Sequence, residues 1–202
     1  MQIIELVLDE ENEDAGIDCI AIVENPAIES NFVALKKQES IQLAEVDKEK
    51  RLLMGALLIP NKPIYRNGPD GEEYYIFFSK ETIAKASQMY LQNGNQSNSN
   101  IEHGEKDLEG LTLVETWLVA DEKMDKSRVY GIDVPVGTWM GAVKVNNEEV
   151  WNDYVKTGKV KAFSIEGYFV DKMEQKSKVK EDLELSEDLM IDKIKDILNK
   201  KN

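Results

Sequence analysis

The sequence predicts an α+β fold, with a mostly antiparallel β-barrel or sandwich decorated by helices. Three observations lead to this prediction. Short segments with the composition of β-strands recur along the chain, turn-forming residues separate them, and helical periodicity appears in only a few places. With 202 residues, of which 42% are hydrophobic, the chain is long enough to build one sizeable core.

The first part of the chain, residues 1–50, is expected to supply strands that belong to the main domain or pack on it. Apolar runs predict strands at residues 2–8 and 17–23 and a short third run at residues 31–35. Residues 36–50 are rich in Lys, Glu and Gln, a composition that indicates a linker or a solvated helix.

The main domain is expected to span residues 51–171. Ser79 is a suitable N-cap for one helix and Asn147 for a second, which Gly158 would end. The polar stretch 93–100 is expected to be an exposed loop. The strands predicted in this domain span residues 54–59, 73–78, 101–103, 111–120, 137–145 and 159–170.

The last part of the chain, residues 172–202, is expected to be a charged linker followed by an amphipathic helix at residues 186–199. The helix would present an apolar stripe that packs on the domain or binds a partner. The stripe consists of Met190, Ile191, Ile194, Ile197 and Leu198.

Composition excludes several classes of function. A formal net charge of −14 disfavours binding to nucleic acid, because a phosphate backbone would be repelled, and it disfavours an anionic membrane surface too. No apolar run approaches the length of a membrane span, and the N terminus lacks the basic start of a signal peptide. A single cysteine and a single histidine cannot form an internal disulfide or an ordinary zinc site, so we expect neither a metal nor a cofactor.

Ser164 is the first candidate for chemistry. The alternation of the strand at residues 159–170 places it on a mostly apolar face, where a hydroxyl needs a partner. It could be a buried serine bonded to a backbone group, or it could be a nucleophile. A nucleophile needs an imidazole within reach, and His103 is the only histidine in the chain. No G-x-S-x-G motif surrounds Ser164, so spacing alone leaves both interpretations open.

Several sequence blocks between Met54 and Val170 closely resemble the XkdF-like serine proteases of tailed phages and prophages. The N-terminal phrase I-A-I-V-E-N-P-A-I-E (20–29) resembles the start of the same family. The blocks of the main domain are L-I-P-N-K-P-I-Y-R (58–66), Y-Y-I-F-F-S-K-E-T-I (74–83), E-H (102–103), V-E-T-W-L-V (114–119), Y-G-I-D-V-P-V-G-T-W-M (130–140) and V-W-N-D-Y-V-K-T-G-K-V-K-A-F-S-I-E-G-Y-F (150–169).

The resemblance implies a prohead (capsid-maturation) protease with a fold related to herpesvirus assemblin. Such an enzyme acts in the cytoplasm of the bacterial host, inside the immature prohead. It would cleave the scaffold, extensions of the major capsid protein and itself, and the portal is a further candidate partner. The family's histidine corresponds to His103, as general base, and its serine to Ser164, as nucleophile on a strand. The alternative is an inactive virion or assembly protein that retains the protease fold.

A third catalytic residue would have to orient His103. Glu115 is the preferred candidate, because a carboxylate in the middle of a strand implies either a surface ion pair or a role beside the histidine. Glu166 is a rival, because it lies two residues from Ser164 and therefore on the same strand face. Asp121 and Asp133 remain open as well.

Overall fold

The computed structural model describes residues 2–9, 11–12, 14–27, 33–35, 50–68, 71–104 and 108–176. The helix expected at residues 186–199 and most of the expected linker at 36–50 lie outside these residues. Within them, no helix is both long and apolar enough to cross a membrane.

Eleven strands and a few helices make up the described part of the chain. The helices are α1 (Lys80–Gln92), α2 (Lys126–Val129) and α3 (Glu148–Val150), and α3 continues into a π-helical turn at Trp151–Val155. Residues 172–176, expected to begin a linker, are helical as well. A short 3₁₀ turn spans Asn95–Ser97. The strands are β1 (Gln2–Val7), β2 (Gly16–Val23), β3 (Val33–Leu35), β4 (Leu52–Leu58), β5 (Ile64–Asn67), β6 (Glu73–Phe78), β7 (Ser99–Ile101), β8 (Leu111–Leu118), β9 (Trp139–Val145), β10 (Ala162–Tyr168) and β11 (Val170–Asp171).

The described strands form three sheets, with the orders β11-β1-β6-β5, β10-β2-β7 and β3-β4-β9-β8. Most neighbouring strands are antiparallel, but β1 pairs with β6 and β2 pairs with β7 in parallel. The α+β class and the mostly antiparallel pairing agree with the sequence prediction. A closed barrel is not observed, because the described strands form three open sheets. β1 and β2 pair with strands from the later part of the chain.

The hydrophobic core lies around β4 and β9, whose residues are almost all buried. A strand buried on both faces needs a continuous apolar run, and the run at residues 52–58 has this composition. Helix α1 contacts β2 and β9, and β10 contacts β4. Tyr90 of α1 packs edge to face against Trp139 of β9, with ring centroids 5.6 Å apart. Because β10 contacts β4, the strand that carries Ser164 is packed against the core.

Helix α1 begins and ends as the sequence predicts. The Ser79 hydroxyl accepts a hydrogen bond from the Thr82 backbone N–H at 3.3 Å, and Gly94 follows the C-cap with a φ of +76°. Asn147 caps α3 by accepting from the Val150 N–H, and Gly158 has a φ of +71°. The apolar periodicity of this segment does not distinguish a π-helical turn from an α-helix, so the π-helical turn at Trp151–Val155 was not predicted.

The structure differs from the local predictions in three ways. The structure adds strand β5 and helix α2, both too short for a periodic pattern to show. The stretch 93–100, expected to be an exposed loop, ends in buried residues, because Ser99 and Asn100 belong to β7 and are 3% and 4% exposed. The strand expected at 101–103 stops at Ile101, so His103 lies on a turn rather than on a strand.

Candidate active site

The sheet β10-β2-β7 brings together residues that are distant in sequence. Ser164 of β10 pairs with Ala21 of β2, which in turn pairs with Asn100 of β7. Paired residues of neighbouring strands project from the same face of a sheet. Side chains two residues apart on a strand share a face as well, so Glu166 lies on the face that carries Ser164 and Asn100.

A tight turn directly after β7 presents His103 to this face. Glu102 and His103 both have positive φ angles, +52° and +56°, and the Gly104 N–H donates to the Ile101 carbonyl at 2.9 Å. These features define a type I′ turn, which favours Asn and Gly at its two central positions. A left-handed conformation in a residue other than glycine costs about 1–3 kcal/mol. The Glu102 carboxylate accepts a hydrogen bond from the Glu24 N–H at 2.6 Å and so ties the turn to the end of β2.

The turn places His103 beside Glu166. The distance from His103 Nδ1 to Glu166 Oε1 is 2.7 Å, which is a short hydrogen bond. The same oxygen accepts a second hydrogen bond from Asn100 Nδ2 at 2.6 Å. A carboxylate held from two sides keeps a fixed position, and the imidazole bonded to it keeps a fixed orientation. Asn100, Glu166 and His103 therefore form one hydrogen-bonded group.

The energetics of this group point to function rather than stability. The side chains of His103 and Glu166 are 44% and 38% exposed. Ion pairs with such exposure contribute about 0–1 kcal/mol. The two left-handed residues of the turn cost more than that. The Oδ1 atom of Asn100 is also buried with no hydrogen-bond partner among the described residues, which adds a penalty of about 1–3 kcal/mol. Left-handed backbone at residues other than glycine and an unpaired buried amide oxygen are features that cluster at functional sites.

The protonation pattern suits a general base. If Nδ1 of His103 carries the proton that it shares with Glu166, then Nε2 has a free lone pair. Ser164 lies on the same face of the sheet, and its hydroxyl makes no hydrogen bond to any described residue, His103 included. In free enzymes such hydrogen bonds are often long and form only when substrate is bound. Ser164 also lines a pocket of about 190 Å³, whose lining does not include His103, Asn100 or Glu166.

The other candidate acids have partners elsewhere. Glu115 lies in the middle of β8, as expected, but both of its carboxylate oxygens bind Lys126 Nζ. Asp133 pairs with Arg128, and Asp121 accepts hydrogen bonds from the backbone N–H groups of residues 123 and 124. The expectation that Glu115 orients His103 therefore disagrees with this placement. The acid beside the histidine is Glu166, the rival candidate.

One more acid adds negative charge near this group. The pKa of Asp18 on β2 is raised, first by burial and then by the negative charges of Asp14 and Glu166. Among the residues that the structure describes, no three His, Cys, Asp or Glu side chains come close enough together to hold a metal ion.

Residues 40–174 match the family model described as "Putative phage serine protease XkdF". The chain belongs to this family. The matched region contains His103, Ser164 and Glu166, but it begins after β2, the strand that lies between β7 and β10. Neither a curated protein nor a solved structure matches the chain. Family membership supports a serine protease of phage type, without indicating what it cleaves.

Asn100 does not stand out in the sequence as a functional residue. Asparagines at positions 93, 95 and 98 precede it within the same polar stretch, and no feature of composition separates it from them. Its position three residues before the only histidine was the available signal, but its importance depends on pairing with Ala21, which a single sequence does not reveal.

Proposed function

We propose that this protein is a serine endopeptidase of phage prohead maturation. Ser164 is the nucleophile, His103 the general base, and Glu166 the acid that orients His103. The observation that carries the proposal is the hydrogen bond between His103 Nδ1 and Glu166 Oε1, formed on the sheet face that carries Ser164. Family membership supports the same class of activity.

The reaction follows from these positions. His103 Nε2 takes the proton of the Ser164 hydroxyl as Oγ forms a bond to the peptide carbonyl carbon. The carbon–nitrogen bond then breaks, and the same proton passes to the leaving amine. A water molecule next gives a proton to Nε2 and attacks the acyl carbon, and Ser164 Oγ leaves with that proton. Glu166 stabilises the imidazolium that forms in each half of the reaction.

The biological setting is part of the proposal. The resemblance to prohead proteases supports the scaffold, extensions of the major capsid protein and the enzyme itself as substrates, with the portal as a further partner. The place of action is then the immature prohead in the cytoplasm of the bacterial host. An assemblin-like ancestry is consistent with a nucleophile on a strand, where Ser164 lies.

The experiment that tests the proposal is intact mass spectrometry over time. The wild-type chain, Ser164→Ala and His103→Ala are incubated alone and with the cognate scaffold and capsid protein. Time-dependent cuts are expected in the wild type, and both variants should lose at least about 10⁴-fold in rate. Ser97→Ala is the matched control, because Ser97 bonds to Thr112 away from His103, and it should cut like the wild type.

An inactive assembly protein makes the opposite prediction. In that case all samples stay intact while folded and bound to the capsid protein, and the proposal fails. Cutting that persists in Ser164→Ala would likewise reject Ser164 as the nucleophile.

A further inference from the structure

The hydrogen bonds between β2 and β7 follow the regular pattern of a parallel pair as far as Glu102. The Ile20 N–H donates to the Asn98 carbonyl at 3.1 Å. Two residues later along β2, the Ile22 carbonyl accepts from the Glu102 N–H at 3.2 Å. Because the bonds of a parallel pair are evenly spaced, the next donor along this strand is the Glu24 N–H. Its regular acceptor is the backbone carbonyl of Glu102.

A side chain takes the place of that carbonyl. The backbone leaves the strand direction at Glu102, whose φ is +52°, and continues through the turn to His103. The Glu24 N–H donates to the Glu102 carboxylate at 2.6 Å, a short bond of the kind that a charged acceptor forms. Glu102 therefore binds the end of β2 twice, through its own N–H and through its carboxylate.

The end of β2 is also bound to the start of β10, the strand of the proposed nucleophile. On that side the Lys161 N–H donates to the Val23 carbonyl at 2.8 Å, and Lys161 Nζ lies 3.5 Å from the Glu24 carboxylate. The backbone around Glu24 thus lies between two neighbours and is bonded to both. The contact between Glu102 and Glu24 consequently fixes the turn that carries His103 relative to β10.

The first central position of this turn holds a residue type that such turns do not favour. Type I′ turns favour Asn there, because Asn adopts left-handed backbone more readily than Glu. The Asn side chain is one carbon shorter, so from the same backbone position its oxygen stops short of the Glu24 N–H. Backbone preference and the bond to Glu24 therefore make opposite demands on residue 102, and substitutions can separate them.

We infer that Glu102 is a positioning residue for His103. The inference rests on the proposed function, in which His103 is the general base. Glu102 acts through its neighbour in the chain, because its carboxylate fixes the turn and the turn fixes the imidazole beside Glu166. A displacement of about 1 Å in a catalytic group can lower a rate by about 10²-fold.

Three substitutions of Glu102 test the inference in the full-length protein, with the cognate scaffold protein as substrate. Glu102→Ala removes the bond to Glu24, so kcat should fall roughly 10- to 100-fold with KM almost unchanged. Glu102→Gln keeps an oxygen that accepts this bond, so kcat should stay within roughly threefold of the wild type. Glu102→Asn suits the turn, so it should unfold at a higher temperature than Glu102→Ala, while its kcat is equally low.

A second measurement reports on His103 without any need for activity. His103 is the only histidine of the chain, so in an untagged sample with ¹⁵N-labelled histidine all imidazole signals belong to it. At pH 8 the wild type and Glu102→Gln should show the tautomer with its proton on Nδ1, held by the bond to Glu166. Glu102→Ala and Glu102→Asn should show a mixture of both tautomers.

Asp121→Ala is the matched control. The Asp121 carboxylate also accepts from backbone N–H groups, those of residues 123 and 124, in the loop after β8. This variant should lower the unfolding temperature but leave kcat and the imidazole signals of His103 unchanged.

The outcomes separate the inference from the proposed function. If the wild type cuts the scaffold, and Glu102→Ala or Glu102→Asn has the kcat and imidazole signals of the wild type, the positioning role is overturned and the peptidase remains. A loss in Glu102→Gln equal to that in Glu102→Ala would overturn the assignment to the bond with Glu24. If the wild type does not cut, the proposed function fails, and the imidazole signals still decide whether Glu102 positions His103.

Discussion

Glu115 and Glu166 occupy similar positions on different strands and have different partners. Each lies in the middle of a strand next to a register shift, in β8 after Leu113 and in β10 before Gly167. Each is about half exposed and bonded to a basic side chain. Glu115 binds Lys126, which also lies over the ring of Trp117, within one loop of the chain. Glu166 binds His103, which is 63 residues away, and a buried asparagine.

The difference shows what makes an acid part of a site. The Glu115 pair is explained by its own neighbourhood, because a lysine that follows a strand can reach back to it. The Glu166 pair depends on a turn with two left-handed residues and on a buried amide, both of which lower stability. The ion pair of Glu115 forms without a left-handed turn or an unpaired buried amide oxygen, whereas the hydrogen-bonded group of His103 includes both.

Removing the charge of each acid gives the sharpest comparison. Glu166→Gln should reduce kcat by about 10³- to 10⁴-fold, because the imidazole loses both its orientation and its stabilising charge. Glu115→Gln should change kcat by less than roughly twofold, since a surface ion pair contributes little. Both variants are compared by peptide cleavage rates and by the rate of fluorophosphonate labelling. Equal losses of kcat in Glu166→Gln and Glu115→Gln would contradict the conclusion that the Glu166 pair, and not the Glu115 pair, serves catalysis.

Substitutions at two glycines test how tightly the strands next to Glu166 and Glu115 are packed. A Cβ at Gly167 would collide with the Gly16 carbonyl oxygen and lie 2.7 Å from Ile17 Cα, so backbone must move. A Cβ at Gly141 of β9 would meet the ends of the Leu113 and Leu57 side chains, which can shift. Gly167→Ala should lower the free energy of unfolding by about 3 kcal/mol or more, and Gly141→Ala by about 1–3 kcal/mol. Urea unfolding measures both, and a larger loss for Gly141→Ala would contradict the packing argument.

Asn100 and Thr116 are polar residues in two different sheets. Substituting each of them distinguishes a positioning role from a purely structural one. Asn100→Leu removes a hydrogen bond to a charged group, worth about 1.5–3 kcal/mol, so kcat should fall roughly 10- to 100-fold with KM almost unchanged. Thr116 donates to the Met140 carbonyl and accepts from Trp139, and Thr116→Val should lower stability but preserve kcat. Steady-state kinetics and thermal unfolding separate the two effects. An Asn100 variant that loses only stability would exclude a positioning role.

Acid titration should distinguish two aspartates with opposite shifts. Hydrogen bonds from the backbone of Lys123 and Met124 lower the pKa of Asp121, so its stabilising contribution is present above about pH 4 and is lost as pH falls through the folded-state pKa. Burial, followed by the charges of Asp14 and Glu166, raises the pKa of Asp18, so its ionised form destabilises the fold at neutral pH. At pH 7, Asp121→Asn should lower Tm and Asp18→Asn should raise it.

Both differences should shrink as the pH falls towards 3, where the two wild-type carboxyl groups become protonated. Thermal unfolding at pH 7, 5 and 3 measures this. A Tm change of the same sign for both variants at pH 7 would contradict the assigned environments.

Local patterns in the sequence predicted most elements of the fold. The caps at Ser79 and Asn147, the glycines after the helices and the apolar run of β4 are signals contained in a few adjacent residues. The order of strands in the sheets is not local. Two parallel pairings and three open sheets result from long-range contacts, which periodicity does not report.

The site shows the same limit. Ser164 and His103 could be named because each stands out in the sequence, Ser164 on an apolar strand and His103 as the only histidine. The choice between Glu115 and Glu166 depended on where His103 points. Its direction is set by a turn whose central residues, Glu and His, are not those that such turns favour. The role of Asn100 depends on its pairing with Ala21 of the neighbouring strand, which a single sequence does not report.

The strand order β10-β2-β7 also determines when, during synthesis of the chain, the candidate active site can form. The strand that carries Ser164 is synthesised after β2 and β7, and it completes a sheet whose other members come from the first half of the chain. Such long-range pairing is slow to form and cannot begin before the last strand is present. A chain still emerging from the ribosome therefore has its histidine but no nucleophile and no orienting acid. The proposed peptidase therefore has no complete catalytic group until β10 has been synthesised and paired with β2.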